Sequence, residues 1–191
     1  MVTVPVVHRT REELEAGLAT VHASPAEVGT LTLIVCRPGV DERVVLEEGR
    51  LDLSVGVEGD NWRVRGSSST PDGSANPDAQ LTVMNARAAA LVAGTEDHGG
   101  LAGDQLYVDL DVSEESLPAG ARLEIGEAVI ELTAKPHRGC EKFARRFGPE
   151  ALHFVNTGEG LRLRLRGRNA KVVVPGTVRR GDEVRRILPA P

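Results

Sequence analysis

Apolar positions change their spacing along this chain, and each change marks an element. Thr10 followed by Glu13 has capping-box spacing, and Leu14, Leu18 and Val21 share one helical face, which predicts a helix to about His22. Pro25, Gly29 and Thr30 close it. The run Leu31-Thr32-Leu33-Ile34-Val35-Cys36 reads as a buried strand stopped by Pro38-Gly39, with residues 44–46 as its hairpin partner and 51–53 as a short extended piece. Residues 55–62 are turn-rich around the single tryptophan, Trp62. Residues 80–84 resume as a strand, Asn85 is placed to cap an alanine-rich helix over 86–93, and Gly94 ends it. Another strand follows at 106–110. Residues 122–126 and 127–133 alternate polar with apolar and meet at a glycine, which predicts a hairpin. Phe143 and Phe147, four apart, predict a short helix ended by Gly148, and Pro149 opens a second one through Phe154. Residues 172–174 and 181–184 give two closing strands with a turn at Pro175-Gly176. Many short strands with a few helices between them indicate a mainly β, barrel-like single domain. Residues 1–30 are expected to form a helical extension packed on a barrel built from 31–191.

Between Gly66 and Ala79 the chain runs through Ser, Thr, Pro, Asp, Gly and Asn, too polar to order itself as core. This segment is expected to be a surface loop on the same side of the barrel as Cys140, acting as a rim or lid. With 40% hydrophobic and 27% charged residues the chain reads as globular, and no apolar run reaches membrane-spanning length. The first eleven residues have no apolar leader, so the expected location is the cytoplasm, without a membrane anchor. A net charge of -5 argues against generic nucleic-acid binding. The cations nevertheless crowd late in the chain, at Arg162, Arg164, Arg166, Arg168 and Lys171, and that run is expected to converge on an anion near Cys140. Two cysteines, Cys36 and Cys140, are too few for a disulfide framework and lack zinc-site spacing. Whether they pair is left open. His98, between an acidic pair and two glycines, reads as a loop histidine.

The chemistry concentrates in residues 135–148. Cys140 is expected on the first turn of the Phe143/Phe147 helix, where the helix dipole, Arg138, Lys142 and His137 favour a thiolate. Such a thiol is a nucleophile, a sulfur carrier or a soft-metal ligand. The competing reading is a small buried hydrophobe, which is the reading that suits Cys36.

The order Gly103-Asp104-Gln105-Leu106, then 117–126 (Leu-Pro-Ala-Gly-Ala-Arg-Leu-Glu-Ile-Gly), then Pro136-His137-Arg138-Gly139-Cys140, then 174–184, resembles the MOSC family, named for the C-terminal domain of molybdenum cofactor sulfurases. The resemblance spans roughly residues 31–187 and is carried by the second half. It implies a strand-rich barrel whose signature cysteine is Cys140, and either binding of a molybdenum-pterin cofactor or transfer of sulfur. Stand-alone members include reductases of N-hydroxylated substrates in which that cysteine, both catalytic and metal ligand, holds molybdenum. Arg138 matches the basic position before the family cysteine, while His137, Lys142, Asn156, Asn169 and Lys171 are cofactor-binding candidates by proximity in sequence. The chain lacks the aminotransferase-like half of the sulfurases and any lysine in a pyridoxal phosphate context. It has no iron-sulfur or flavin segment either, so a redox cycle implies a reductase partner. The alternative is a persulfide carrier loaded by a cysteine desulfurase. In neither reading is a nucleic acid or a membrane a partner.

Overall fold

The computed structural model describes residues 6–188, with the side chains of Glu96 and Asp97 outside the description. The capping box forms: the Thr10 hydroxyl accepts from the Glu13 amide and the Glu13 carboxylate accepts from the Thr10 amide at 2.8 Å. Gly17 then divides the expected helix into α1 (Arg11–Ala16) and α2 (Leu18–His22). A Cβ at Gly17 would come within 2.2 Å of Leu91, so the division lets the chain press onto a later helix. Strands β1 (Val28–Cys36), β2 (Val44–Leu46), β3 (Glu48–Asp52) and β4 (Gly56–Val57) follow, then α3 (Trp62–Arg65), β5 (Leu81–Asn85) and α4 (Ala86–Ala93). After β6 (Leu106–Asp109) come the hairpin β7 (Arg122–Ile125) and β8 (Ala128–Leu132), α5 (Glu141–Asn156) and α6 (Gly158–Arg162). Strands β9 (Arg168–Val174), β10 (Gly176–Arg179) and β11 (Glu183–Ile187) complete the chain.

A closed 7-strand barrel runs β1-β6-β5-β9-β8-β7-β11 and returns to β1. Closure leaves no edge there, because β1 is shared: Val28, Gly29 and Thr30 pair with β11, the middle pairs with β6, and the far end carries β2. The pair β5 and β6 is parallel, so it needs a crossover, and α4 supplies it with Asn85 capping the Ala88 amide at 2.9 Å. Beside the barrel, β10, β3 and β4 form a smaller sheet. The extended piece expected at 51–53 thus overlaps the end of a longer strand, and the chain after α6 holds three strands where two were expected. Arg168, read from sequence as part of a basic run facing an anion, and Asn169, read as a cofactor-binding candidate, begin β9.

Strand alternation sorts the core into two layers. Leu81, Val83, Leu106, Val108, Leu123, Ile125, Ile130, Ala170 and Val172 fill the barrel. Their neighbours Met84 and Tyr107 point outward and pack with Leu14, Val21, Val92, Phe143, Phe147 and Ala151 under the helices. In β1 a register shift between Leu31 and Leu33 inverts the alternation, so that Leu31, Ile34 and Cys36 all face inward while Val35 joins the outer layer. The same sorting turns Thr82 and Asn169, which are paired in register, to the outside of the barrel. Helix α5 breaks at Gly148 (φ 90, ψ 165), where the sequence placed a helix end, and resumes at Pro149 as far as Asn156. Among the described residues no helix is long and apolar enough to cross a membrane.

Candidate functional site

The segment from β8 to α5 is held from both sides by asparagines. Asn169 on β9 donates its side-chain amide to the carbonyls of Lys135 and Pro136 at 3.1 and 3.2 Å. Asn156, at the end of α5, accepts from the Gly139 amide at 2.9 Å and donates to its carbonyl at 3.0 Å. Gly139 is where the loop touches the helix, since a Cβ there would lie 2.8 Å from Leu152. Cys140 follows as the residue before the helix, in extended conformation (φ -126, ψ 179), exposed and with no hydrogen bond from its side chain to the helix amides. It caps the helix rather than lying within its first turn. The break at Gly148 limits the uninterrupted helix behind it to residues 141–147.

Cys36 contrasts with it. It is 6% exposed in the barrel core, and burial, then the charge of Asp60, pushes its thiol up from the usual range. Both cysteines are free. At neutral pH an alkylating reagent is expected to modify Cys140 well before Cys36. Peptide mapping over time reads the order, and equal labelling would remove Cys140 from the site.

A buried charged cluster lies against the same loop and helix. Arg166 donates to Asp104 Oδ2 at 2.5 Å and to the Ala102 carbonyl at 3.1 Å, and its guanidinium lies 5.2 Å from the Phe143 ring centroid. This contact ties α5 to the turn before β9. Arg37 pairs with Asp60 through both carboxylate oxygens, at 2.9 and 3.1 Å, and donates to the Gly103 carbonyl at 3.0 Å. Arg43 and Arg146 approach the same glycine: a Cβ on Gly103 would meet Arg43 at 3.1 Å and Arg146 at 3.6 Å. Arg146 has an exposed partner in Asp41 at 2.9 Å, and it also donates to the Leu101 carbonyl. Arg43 forms no ion pair with the described residues and leaves its buried Nε unpartnered; burial, then Arg146 and Arg37, pushes its pKa down. Three arginines therefore converge on one backbone position with less carboxylate around them than their charge requires, and that favours an anion.

His137 lies between the loop and this cluster, with its side chain 15% exposed. Its Nδ1 is 3.4 Å from Asn169 Oδ1, and its Nε2 is 3.7 Å from Asp104 Oδ1. Burial, then the positive charge of Arg166, pushes its pKa down to about 4, against the opposing pull of Asp104. The ring is neutral at physiological pH.

The residues singled out from sequence divide. His137, Asn156, Asn169 and Cys140 come together. Arg138 is exposed and reaches the Asn156 carbonyl at 3.4 Å, and Lys142 is 3.8 Å from Asp41 at the rim. Lys171 pairs with Glu131 at 3.0 Å on the barrel wall, away from the loop. The expected convergence of the later arginines does not occur: Arg162 pairs with Glu159 and Glu115, Arg164 with Glu114, and Arg168 is buried on the carbonyls of Val112 and Leu117. Of that run only Arg166 reaches the cluster. The loop over residues 66–79 is joined to the cysteine segment, by Lys135 to Ser69 at 3.1 Å and by the Thr133 hydroxyl to the Asp78 carbonyl at 2.6 Å. It thus sits where a rim was expected. Sequence reading missed Arg37, Arg43, Asp60, Asp104 and Arg146 as site residues. Asp104 lay in the Gly103-Asp104-Gln105-Leu106 stretch that carries the family resemblance and Arg146 in the cation-rich segment 135–148, while no local pattern marked Arg37, Arg43 or Asp60.

The site is an exposed thiol on a braced loop whose histidine and following helix pack against an arginine cluster on the outer wall of a closed barrel. The MOSC domain family model matches residues 74–185, more than half of the sequence, and the chain belongs to that family. Solved structures share the fold. The YuaD protein of Bacillus subtilis superposes with a TM-score of 0.58 at 16% identity, covering 83% of this chain and 95% of YuaD. YiiM of Escherichia coli does so with 0.54 at 19%, covering 84% of this chain and 71% of YiiM. A comparison with curated proteins finds no match.

Proposed function

We propose that this chain binds a phosphate-bearing molybdenum-pterin cofactor through the Cys140 thiolate, and that the bound form reduces small N-hydroxylated or related substrates with electrons from an external reductase. The observation that carries this is the pairing of an exposed thiol with arginines short of counter-charge. Thiolate is the soft ligand such a metal prefers, and a phosphate would supply the missing negative charge. The residues fit the group. Among the described residues Arg43 Nε and Arg166 Nε are buried donors without partners, and Arg37 and Arg146 meet Arg43 at Gly103. Cys140 would hold the metal, and Arg43, Arg146 and Arg138 the phosphate, with His137 and Asn169 bracing the loop. When bound, the metal supplies the electron-transfer chemistry, while the chain positions it and screens it with the 66–79 loop.

Metal analysis and pterin fluorescence on protein made in a cofactor-competent host test this. Wild type is expected to retain molybdenum and pterin together, and Cys140→Ser to lose the metal. Arg43→Ala should retain cofactor about tenfold to a hundredfold more weakly, the worth of a lost charge-assisted hydrogen bond of about 1.5–3 kcal/mol. Wild-type protein free of both metal and pterin would overturn the reading.

The exposure of Cys140 favours one alternative, a persulfide carrier. Its thiolate would attack the outer sulfur of a desulfurase persulfide, take that sulfur as Cys140 persulfide and release the donor thiolate. Mass spectrometry after incubation with a desulfurase and cysteine would show one added sulfur on Cys140.

A further inference from the structure

Asn169 fixes which nitrogen of His137 carries the proton. The Asn169 atom facing two carbonyls must be the donor nitrogen, so its oxygen is the atom 3.4 Å from His137 Nδ1. That oxygen needs a donor, which makes Nδ1 the protonated position and leaves Nε2 with a lone pair. Nε2 faces Asp104 Oδ1 at 3.7 Å. Asp104 is fully buried; Arg166 occupies Oδ2, and Oδ1 has no hydrogen-bond partner among the described residues. Two acceptors therefore face one another with no protein donor between them, in a place where an unmet carboxylate oxygen is costly. A group with two hydrogens on one atom satisfies both at once. Phosphate, carboxylate and carbonyl oxygens do not, so this position has the opposite preference to the arginines around Gly103.

We propose that His137 Nε2 and Asp104 Oδ1 form an acceptor pair that receives the NH2 group of an amide, amidine or aminopterin-type ligand, with Asn169 as the positioning residue that sets the histidine tautomer. Arg166 already balances the Asp104 charge, so the ligand group need not be cationic. The ring is partly open to solvent while the carboxylate is covered, so an NH2 that reaches Asp104 does so past His137. The proposal rests on reading this pocket as a ligand site, and names what one side of it recognises.

The test uses the full chain without cofactor, carrying [15N]histidine, and long-range proton–nitrogen correlation of the imidazole rings. His137 is identified by its loss in His137→Gln or, should that variant not fold, as the ring that stays neutral at mildly acid pH. Nδ1 is expected to be protonated and Nε2 to be bare. Acetamide at molar concentration, acetamidine, or pterin should move Nε2 upfield as its lone pair accepts, whereas N,N-dimethylacetamide and acetate should not. A response to pterin alone assigns the NH2 to the cofactor, and a response to acetamide or acetamidine assigns it to a separate substrate. Asn169→Ala should mix the two tautomers. A proton found on Nε2, equal shifts with dimethylacetamide, or no shift with any probe, as for a fixed water only, would overturn the proposal. None of these results depends on metal at Cys140, so the pair and the cofactor reading fail separately.

Discussion

Asp60→Ala is expected to cost the fold about 3–5 kcal/mol, the usual loss when one member of a buried ion pair is removed. The Asp60 side chain is 0% exposed and that of Arg37 10%. Asp60 accepts four bonds: from the Arg37 amide at 3.0 Å, from Arg37 Nε and Nη2, and from the Trp62 amide at 2.9 Å. Its removal leaves a buried guanidinium held by the Gly103 carbonyl alone and the Trp62 amide at the start of α3 without its acceptor. Urea unfolding at neutral pH measures the loss. Adding Arg37→Met should recover part of it, because the stranded charge is gone while the amides of Arg37 and Trp62 remain unmet. A loss below about 1 kcal/mol would mean that water reaches the pair, and the cluster would then not be the dry, positive site described.

Acid should weaken the fold through His137. Its folded pKa is about 4 against 6.5 in an unfolded chain. Between those values the unfolded state takes up a proton that the folded state refuses, so stability rises with pH across that window. The contribution is full above about pH 6.5, falls as pH drops, and is gone near pH 4, with a size of about 3 kcal/mol. Carboxylates add their own acid losses, so the informative quantity is the difference between wild type and His137→Gln. The variant's stability should fall less steeply between pH 7 and 4.5. Parallel curves would show that the ring protonates in place without penalty.

Much of the barrel was readable because its strands obey simple alternation. The hairpin at 122–133 and the capped helix after Asn85 follow from local pattern, and local pattern decides them. What escaped was set by distant partners. Arg166 and Arg168 look like their neighbours Arg162 and Arg164, yet Asp104 buries one and the carbonyls of Val112 and Leu117 bury the other. No spacing announces that Arg37, Arg43 and Arg146 meet at Gly103, since the contact joins the end of β1, the loop after it and α5. Cys140, His137 and Asn156 were legible because one short loop and the helix after it carry all three. Asn169 could be named, but its grip on two carbonyls required the pairing of β8 with β9.

The register shift in β1 also sets how the strand can change length. A deletion of Thr32 would restore plain alternation and leave every residue beyond it on the face it now holds, Ile34 and Cys36 inward and Leu33 and Val35 outward. A deletion beyond the shift keeps the extra residue and turns the later positions over: loss of Val35 would turn Cys36 out of the barrel and swing the Arg37 charge into an apolar lumen, away from Asp60 and Gly103. A conservative side-chain exchange at Thr32 leaves that count intact. This strand should therefore accept loss of the extra residue at the shift and reject single-residue gaps beyond it, and a library of one-residue deletions through β1 would show survivors at Thr32 and none from Ile34 to Cys36.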